Sequence, residues 1–231
     1  MKGRLYGVGV GPGDPELLTL KALRIIKSVA VIAYPAPEEG ASFARAIVAR
    51  WLSANEREVA LLFPMRPGPA SDAVYERAAD ALAAELDRGL DVACLCEGDP
   101  LFYGTFGRLL PRLATRYEIE IVPGVSSLGA ASAAAALPLV QGEETLLVIP
   151  ATLGEKALSA RLAAADAALI MKLGRHLEKV RRVLSSLSLL ERAIYIERAS
   201  LEEGRVLPFS AVDFGDAPYF SMALIASREH H

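Results

Sequence analysis

The sequence predicts an α/β protein built as two layered domains, residues 1–122 and 123–231. Three observations carry that reading. Short apolar runs recur along the chain and alternate with segments of helical period, the pattern of parallel βαβ units. Glycine, proline and acidic residues stand where several of these runs must turn into a helix. The Pro123-Gly124 break is followed by a further set of strands and helices, enough for a second domain.

Taken in order, Leu5–Val10 reads as the first strand. Asp14 is placed to cap the next helix, with Pro15 at its first position and Leu17, Leu18, Leu20, Leu23 and Ile26 as its buried face. Val29–Ala33 is a second strand, ended by Tyr34-Pro35-Ala36-Pro37. Ser42–Leu52 is a short amphipathic helix with Trp51 as a core residue, and Glu58–Phe63 is a third strand. A proline-rich turn over 64–69 leads to Ser71, which caps a long helix stopping near Gly89. Asp91–Cys96 is a fourth strand, with Val92–Cys96 an unbroken apolar run, and helical spacing resumes after Gly104 with Phe106, Leu109, Leu110 and Leu113. Tyr117–Val122 closes the first half. The second half opens with an alanine-rich helix, Leu128–Leu137, whose small residues allow close packing. Strands follow at Thr145–Ile149, Ala167–Lys172, Ala193–Glu197 and Tyr219–Ser227, with helices at Glu155–Ala164 and Leu177–Leu187.

The totals exclude several classes. A chain of 231 residues, 52% hydrophobic and with mean hydropathy +0.30, buries a sizeable core and is not disordered. A net charge of -3 supplies no general field for nucleic acid or an anionic membrane. No apolar run reaches the roughly 18 residues that span a bilayer, and glycines break the N-terminal segment too early for a signal peptide. The expectation is therefore a cytoplasmic protein. Cys94 and Cys96 share one face of a strand and read as buried thiols, with no second pair to complete a zinc site. No metal site is expected. His230 and His231 read as a tag remnant, which leaves His176 as the one internal histidine, near a helix start on the surface.

Two glycine-bearing turns could bind a ligand. In GVGVGPGDPE the dinucleotide spacing fails, because Asp14 or Pro12 falls where the third glycine belongs. A Walker-type phosphate loop is absent too. A glycine-rich turn beside an acid suits a cationic or hydroxyl-rich ligand; the plainer reading is a tight turn before a capped helix. In CEGDPLFYGTF, Gly98 admits close backbone approach, Pro100 stiffens the loop, and aromatic residues follow. This is either a binding loop or a turn that only reverses the chain. Ser126 and Ser127 either cap the alanine-rich helix or face a ligand at its start.

Three pieces in order, VGVGPGDPELLTL, CEGDPLFYGTF and VPGVSSLGAASA, together with strands ending in IMKLGR and IERAS, resemble the tetrapyrrole methylase family, which uses S-adenosylmethionine. The resemblance runs from Leu5 to about Ser227. It implies two α/β domains of the tetrapyrrole methylase type with the active cleft between them, usually in a homodimer. The N-terminal domain would face the tetrapyrrole and the C-terminal domain much of the cofactor. It further implies cofactor contacts from Pro12, from Glu97, Gly98 and Asp99 around the methionine end, from Leu101 and Phe102 beside them, from Ser126 and Ser127, and from Met171 and Ala199 at the adenosine. Met171 is equally suited to plain core packing.

The stretches VIAYPAPEE and GDPLFYGTF are similar to the branch of the family that methylates C20 of precorrin-2 in cobalamin biosynthesis. Pro35 stands where the uroporphyrinogen branch carries an aspartate, which argues against that substrate. Cobalt-factor II is the nearest alternative substrate. A tetrapyrrole-binding protein without turnover and a nicotinamide dehydrogenase are the other classes, disfavoured by the intact GDP and PGVSS motifs and by the missing third glycine. Arg66 and Arg108 could meet substrate carboxylates, although both suit a solvated surface. Tyr34, Tyr103 and Glu97 are polar groups for the cleft. No catalytic base is assigned from the sequence.

Overall fold

A computed structural model describes residues 1–53, 57–64, 71–213, 217–218 and 220–227. The chain divides into two units, Met1–Ser126 and Ser127–His231. In the first, strands β1 (Leu5–Gly9), β2 (Val31–Ala36), β3 (Arg57–Leu62), β4 (Val92–Cys96) and β5 (Ile119–Val122) form a sheet in the order β3-β2-β4-β1-β5. All its pairings are parallel.

β4 is buried along its whole length because helices cover both faces. Val92, Cys94 and Cys96 face helices α3 (Asp72–Asp87) and α4 (Phe106–Leu113). Ala93 and Leu95 face α1 (Leu20–Ile26) and α2 (Phe43–Val48). The alternation follows from the two-residue period of a strand. It also explains the free, buried thiols Cys94 and Cys96, which lie on one side.

Four local features differ from the sequence reading. Asp14 caps only a 3-10 turn, Pro15–Leu17, its Oδ1 accepting from Glu16 N at 2.8 Å. The helix proper starts at Leu20, and Thr19 caps it by accepting from Ala22 N at 3.1 Å. Shifting the start turns Leu20 outward, to 86% exposure, and buries Ala22 and Ile25 beside the expected Ile26. β2 runs on through Pro35 to Ala36, because β4 pairs with it only over Val31–Ala33 and leaves that edge of the strand open beyond. Ser71 stands at the start of α3 without a capping bond from its hydroxyl. Most of the proline-rich 64–69 turn, including Arg66, lies outside the described residues.

The second unit holds α5 (Ser127–Ala135), β6 (Leu146–Pro150), α6 (Glu155–Leu162), β7 (Ala167–Met171), α7 (Leu177–Ser186), β8 (Ala193–Glu197), β9 (Arg205–Pro208) and β10 (Ser221–Ile225). Its sheet order is β6-β7-β10-β8-β9. β6 and β7 are parallel, while β10 runs antiparallel to both β7 and β8. This sheet is therefore mixed, unlike the first. β6, β7 and β8 still point the same way, so their carboxyl ends share one edge. α6 and α7 cover one face, and α5 covers the other through Ala131 against Leu169, Ile196 and Leu224. The sequence reading missed β9, a four-residue edge strand with exposed residues that ends in proline. The Tyr219 end of the last expected strand falls outside the described residues.

Candidate functional site

In the first unit, α1 follows β1 on one face of the sheet and α4 follows β4 on the other. β1 and β4 are adjacent and parallel. Their connections part to opposite faces, which opens a crevice at the carboxyl ends of the strands, the usual place for a small ligand in such a sheet.

The three glycine-bearing segments of the sequence meet there. Gly98 donates its N–H to Gly11 O at 2.7 Å, and Gly11 returns a longer bond to Gly98 O at 3.4 Å. Both glycines have positive φ, 85° at Gly11 and 63° at Gly98, where a side chain would be strained. A Cβ on Gly9 would lie 2.5 Å from Gly124 N and 2.7 Å from Gly98 O; one on Gly124 would lie 2.0 Å from Gly98 O. Main chain thus packs on main chain, and no side chain fits between. Gly7 has a different task, since a Cβ there would strike the Phe106 ring at 2.6 Å. It makes room for the first core residue of α4.

Asp99 ties the crevice together. Its Oδ1 accepts from Leu101 N at 2.9 Å and its Oδ2 from Gly124 N at 3.1 Å. The Pro123–Ser126 turn therefore goes with the first unit. Around this edge, Gly98 is buried and Pro12, Glu97, Asp99, Phe102 and Ser126 are half-buried. Leu101 and Tyr103 are 53% and 47% exposed. Phe102 and Tyr103 meet edge to face at 5.1 Å. Tyr103 has φ 54°, an unfavourable conformation for a bulky residue and one that no sequence pattern announces.

In the second unit Ser127 opens α5, Met171 ends β7, and Ala199 follows the end of β8. Leu128, Met171 and Ala199 pack at the margin of one apolar cluster, on the α5 side of the sheet. Lys172 and Arg198, which flank the start of β10, also adopt positive φ, 61° and 48°. Lys179 is half-buried, and burial holds its ammonium below the usual lysine value. It donates to the carbonyls of Ala151 and Leu153 in the turn after β6.

At the end of β8, Glu197 is only 3% exposed. Burial alone would raise its carboxyl, but hydrogen bonds from Arg205 and Tyr195 outweigh that and hold it below the usual glutamate value. Arg205 grips it with two bonds, 2.6 and 3.1 Å, and Tyr195 OH donates to it as well. The sequence signal for this network was the alternation Tyr195-Ile196-Glu197, which sets Tyr195 and Glu197 on one side of the strand.

Other residues singled out in the sequence have partners of their own. Arg108 stacks over Tyr75 at 4.5 Å and bonds Asp72 at 2.9 Å, so it joins α3 to α4. Tyr34 lies beside the Arg45–Glu58 pair, and burial followed by its bond to Glu58 raises its phenol. His176 is half-buried at the start of α7, not on the open surface, and burial followed by Lys179 and Arg175 lowers its imidazole. Among the described residues, no group of three or more histidine, cysteine, aspartate or glutamate side chains is arranged to hold a metal ion.

Chemically, the first unit offers a rim of closely packed glycine main chain beside the half-buried carboxylates of Glu97 and Asp99, an environment suited to a ligand with a cationic end. The second offers a small apolar margin at Met171 and Ala199, suited to a flat ring. The sequence model of the tetrapyrrole (corrin/porphyrin) methylases matches residues 4–213.

The chain belongs to the tetrapyrrole methylases.

Within that family it is 47% identical, over 97% of its length, to the cobalamin biosynthesis protein CobIJ of Mycobacterium tuberculosis, of which it spans only 46%. It is 40% identical to a Sinorhizobium precorrin-2 C(20)-methyltransferase, covering 96% of this chain and 95% of that one. A Salmonella typhimurium cobalt-precorrin-2 C(20)-methyltransferase is 33% identical, with 97% of each chain covered. Among solved structures, the uroporphyrin-III C-methyl transferase of Thermus thermophilus, complexed with S-adenyl homocysteine, aligns with TM-score 0.72 at 26% identity, covering 96% of this chain and 97% of that one. Methylases of this family use S-adenosylmethionine.

Proposed function

We propose that this protein is an S-adenosylmethionine-dependent methyltransferase that methylates C20 of precorrin-2, giving precorrin-3A and S-adenosylhomocysteine in cobalamin biosynthesis. The similarity to the Sinorhizobium enzyme over nearly the whole of both chains carries the reading. The glycine-lined crevice at the ends of β1, β4 and β5 supports it. Pro12, Glu97, Gly98, Asp99, Leu101, Phe102 and Ser126 of the first unit would hold the cofactor, together with Ser127, Met171 and Ala199 of the second. When bound, it supplies an electrophilic methyl group on a sulfonium.

The protein's part is binding and orientation. C20 is a bridge carbon made electron-rich by conjugation with the ring nitrogens, so attack needs alignment more than a strong base. A proton leaves afterwards to a side chain or water. The protein acts as a cytoplasmic homodimer in this reading, and light scattering on a gel-filtration peak tests the assembly. Among the described residues, no helix is long and apolar enough to cross a membrane.

Mass spectrometry of anaerobic precorrin-2 incubated with the protein and S-adenosylmethionine tests the reaction. A product with one methyl in place of hydrogen, labelled at C20, is expected. The Salmonella relative favours one second reading, with a cobalt-bearing substrate. Turnover of cobalt-factor II but not of precorrin-2 would replace the first reading with it.

A further inference from the structure

We infer that Asp99 is a positioning residue. Its carboxylate locks the loop after β4 to the turn after β5 and so sets the main chain that faces the cofactor, instead of pairing with the cofactor's amino group. The identity of the ligand rests on the methyltransferase reading above; the lock itself does not.

β4 and β5 are not neighbours, because β1 lies between them. Two strand spacings separate them, about 10 Å. Their loops can meet only by arching over the end of β1, and Gly9 leaves the space for that. Past β5, Pro123 has no amide hydrogen, so Gly124 is the first residue that can donate. Its N–H goes to Asp99 Oδ2 at 3.1 Å, while Oδ1 closes the turn onto Leu101 N at 2.9 Å. The Gly124 main chain is already against Gly9 and the Gly98 carbonyl. Contact from below and a charged acceptor from the side leave the turn one position. Each oxygen of the carboxylate serves a different loop, which an amide side chain cannot imitate, since it has one acceptor atom.

Two variants test the lock. Asp99→Asn turns an N–H₂ donor toward one of the two backbone amides. Asp99→Ser keeps a hydroxyl short enough for the local turn to Leu101 and loses the reach to Gly124. Hydrogen exchange at the Gly124 amide, read by NMR in ligand-free protein, should quicken about tenfold or more in Asp99→Ser, and in Asp99→Asn the same should hold at whichever of the Gly124 and Leu101 amides faces the N–H₂, with β4 amides unchanged as the control for folding. Affinities for S-adenosylhomocysteine and for 5'-methylthioadenosine, which lacks the amino-acid end, should then fall by similar factors, roughly tenfold to a hundredfold. Weaker binding of S-adenosylhomocysteine alone would overturn the proposal and make Asp99 a direct partner of the amino group. Unchanged exchange at Gly124 in folded Asp99→Ser overturns it as well. A wild-type protein that binds neither adenosyl compound would sink the cofactor reading, and the Gly124 exchange rate would still decide the lock.

Discussion

At the scale of single residues, glycines of similar appearance in the sequence have opposite sensitivities. Gly9 sits against the main chain of Gly124 and Gly98, none of which can yield like a flexible side chain. Gly9→Ala is expected to cost about 1–3 kcal/mol through overpacking, and urea unfolding would measure it. Gly107, on the exposed side of α4, has nothing within 4 Å of the place a methyl group would take. Gly107→Ala should stabilise by about 0.5–1 kcal/mol through helix propensity. Equal effects at the two positions would contradict the packed crevice. Tyr103 provides a contrasting case. Its left-handed backbone costs about 1–2 kcal/mol, and its ring is half exposed beside the crevice. Tyr103→Gly should raise the thermal midpoint while raising KM for the tetrapyrrole. A fall in stability with KM unchanged would remove Tyr103 from the site.

At the scale of elements, β4 and β8 show two ways in which a strand end is held in place. β4 is buried on both faces, so its five apolar residues hold the Glu97–Pro100 loop on a rigid base. Leu95→Ala should cost about 2–5 kcal/mol, measurable by calorimetry. β8 ends on the buried Glu197, clamped by Arg205 from the edge strand β9. Because the folded state holds that carboxyl below its ordinary value, the unfolded state binds the proton first as pH falls. The stabilisation is therefore present above the unfolded glutamate value, near pH 4.3 on the usual scale, and is lost as pH drops through the lower folded value. Glu197→Gln should lower the midpoint at pH 7 and flatten its decline between about pH 5 and pH 3. An unaltered acid profile in the variant would show that another carboxylate governs it.

At the scale of the whole molecule, two units each with its own sheet and apolar clusters account for the described core. A ligand that binds only the folded protein stabilises it by mass action. S-adenosylhomocysteine at a hundred times its dissociation constant should add about 2.7 kcal/mol, read as a rise in thermal midpoint. No shift would speak against the cofactor reading. The chain spans only 46% of its mycobacterial relative. On the methyltransferase reading proposed above, assay of the 231-residue chain with precorrin-2 and S-adenosylmethionine should give a single methylation.

Local pattern alone determined the alternation of strands and helices, the burial of β4 from its unbroken apolar run, and the family from three turns in order. Those signals are short-range: a side-chain period, a proline, a glycine beside an acid. Tertiary structure decided what depends on distant partners. Thr19 displaced Asp14 as the cap of α1 because packing chose Ala22 and Ile25 for the core. β9 formed despite its exposed, proline-ended sequence because β8 offered it an open edge. Arg108 found its partners Asp72 and Tyr75 on α3, far from it in sequence. Most of all, Asp99 and Gly124 stand far apart in sequence, on loops whose strands are separated by β1, and they meet only because those loops arch over its end. No local period encodes strand order, since it is set by which faces of the whole chain must be buried together.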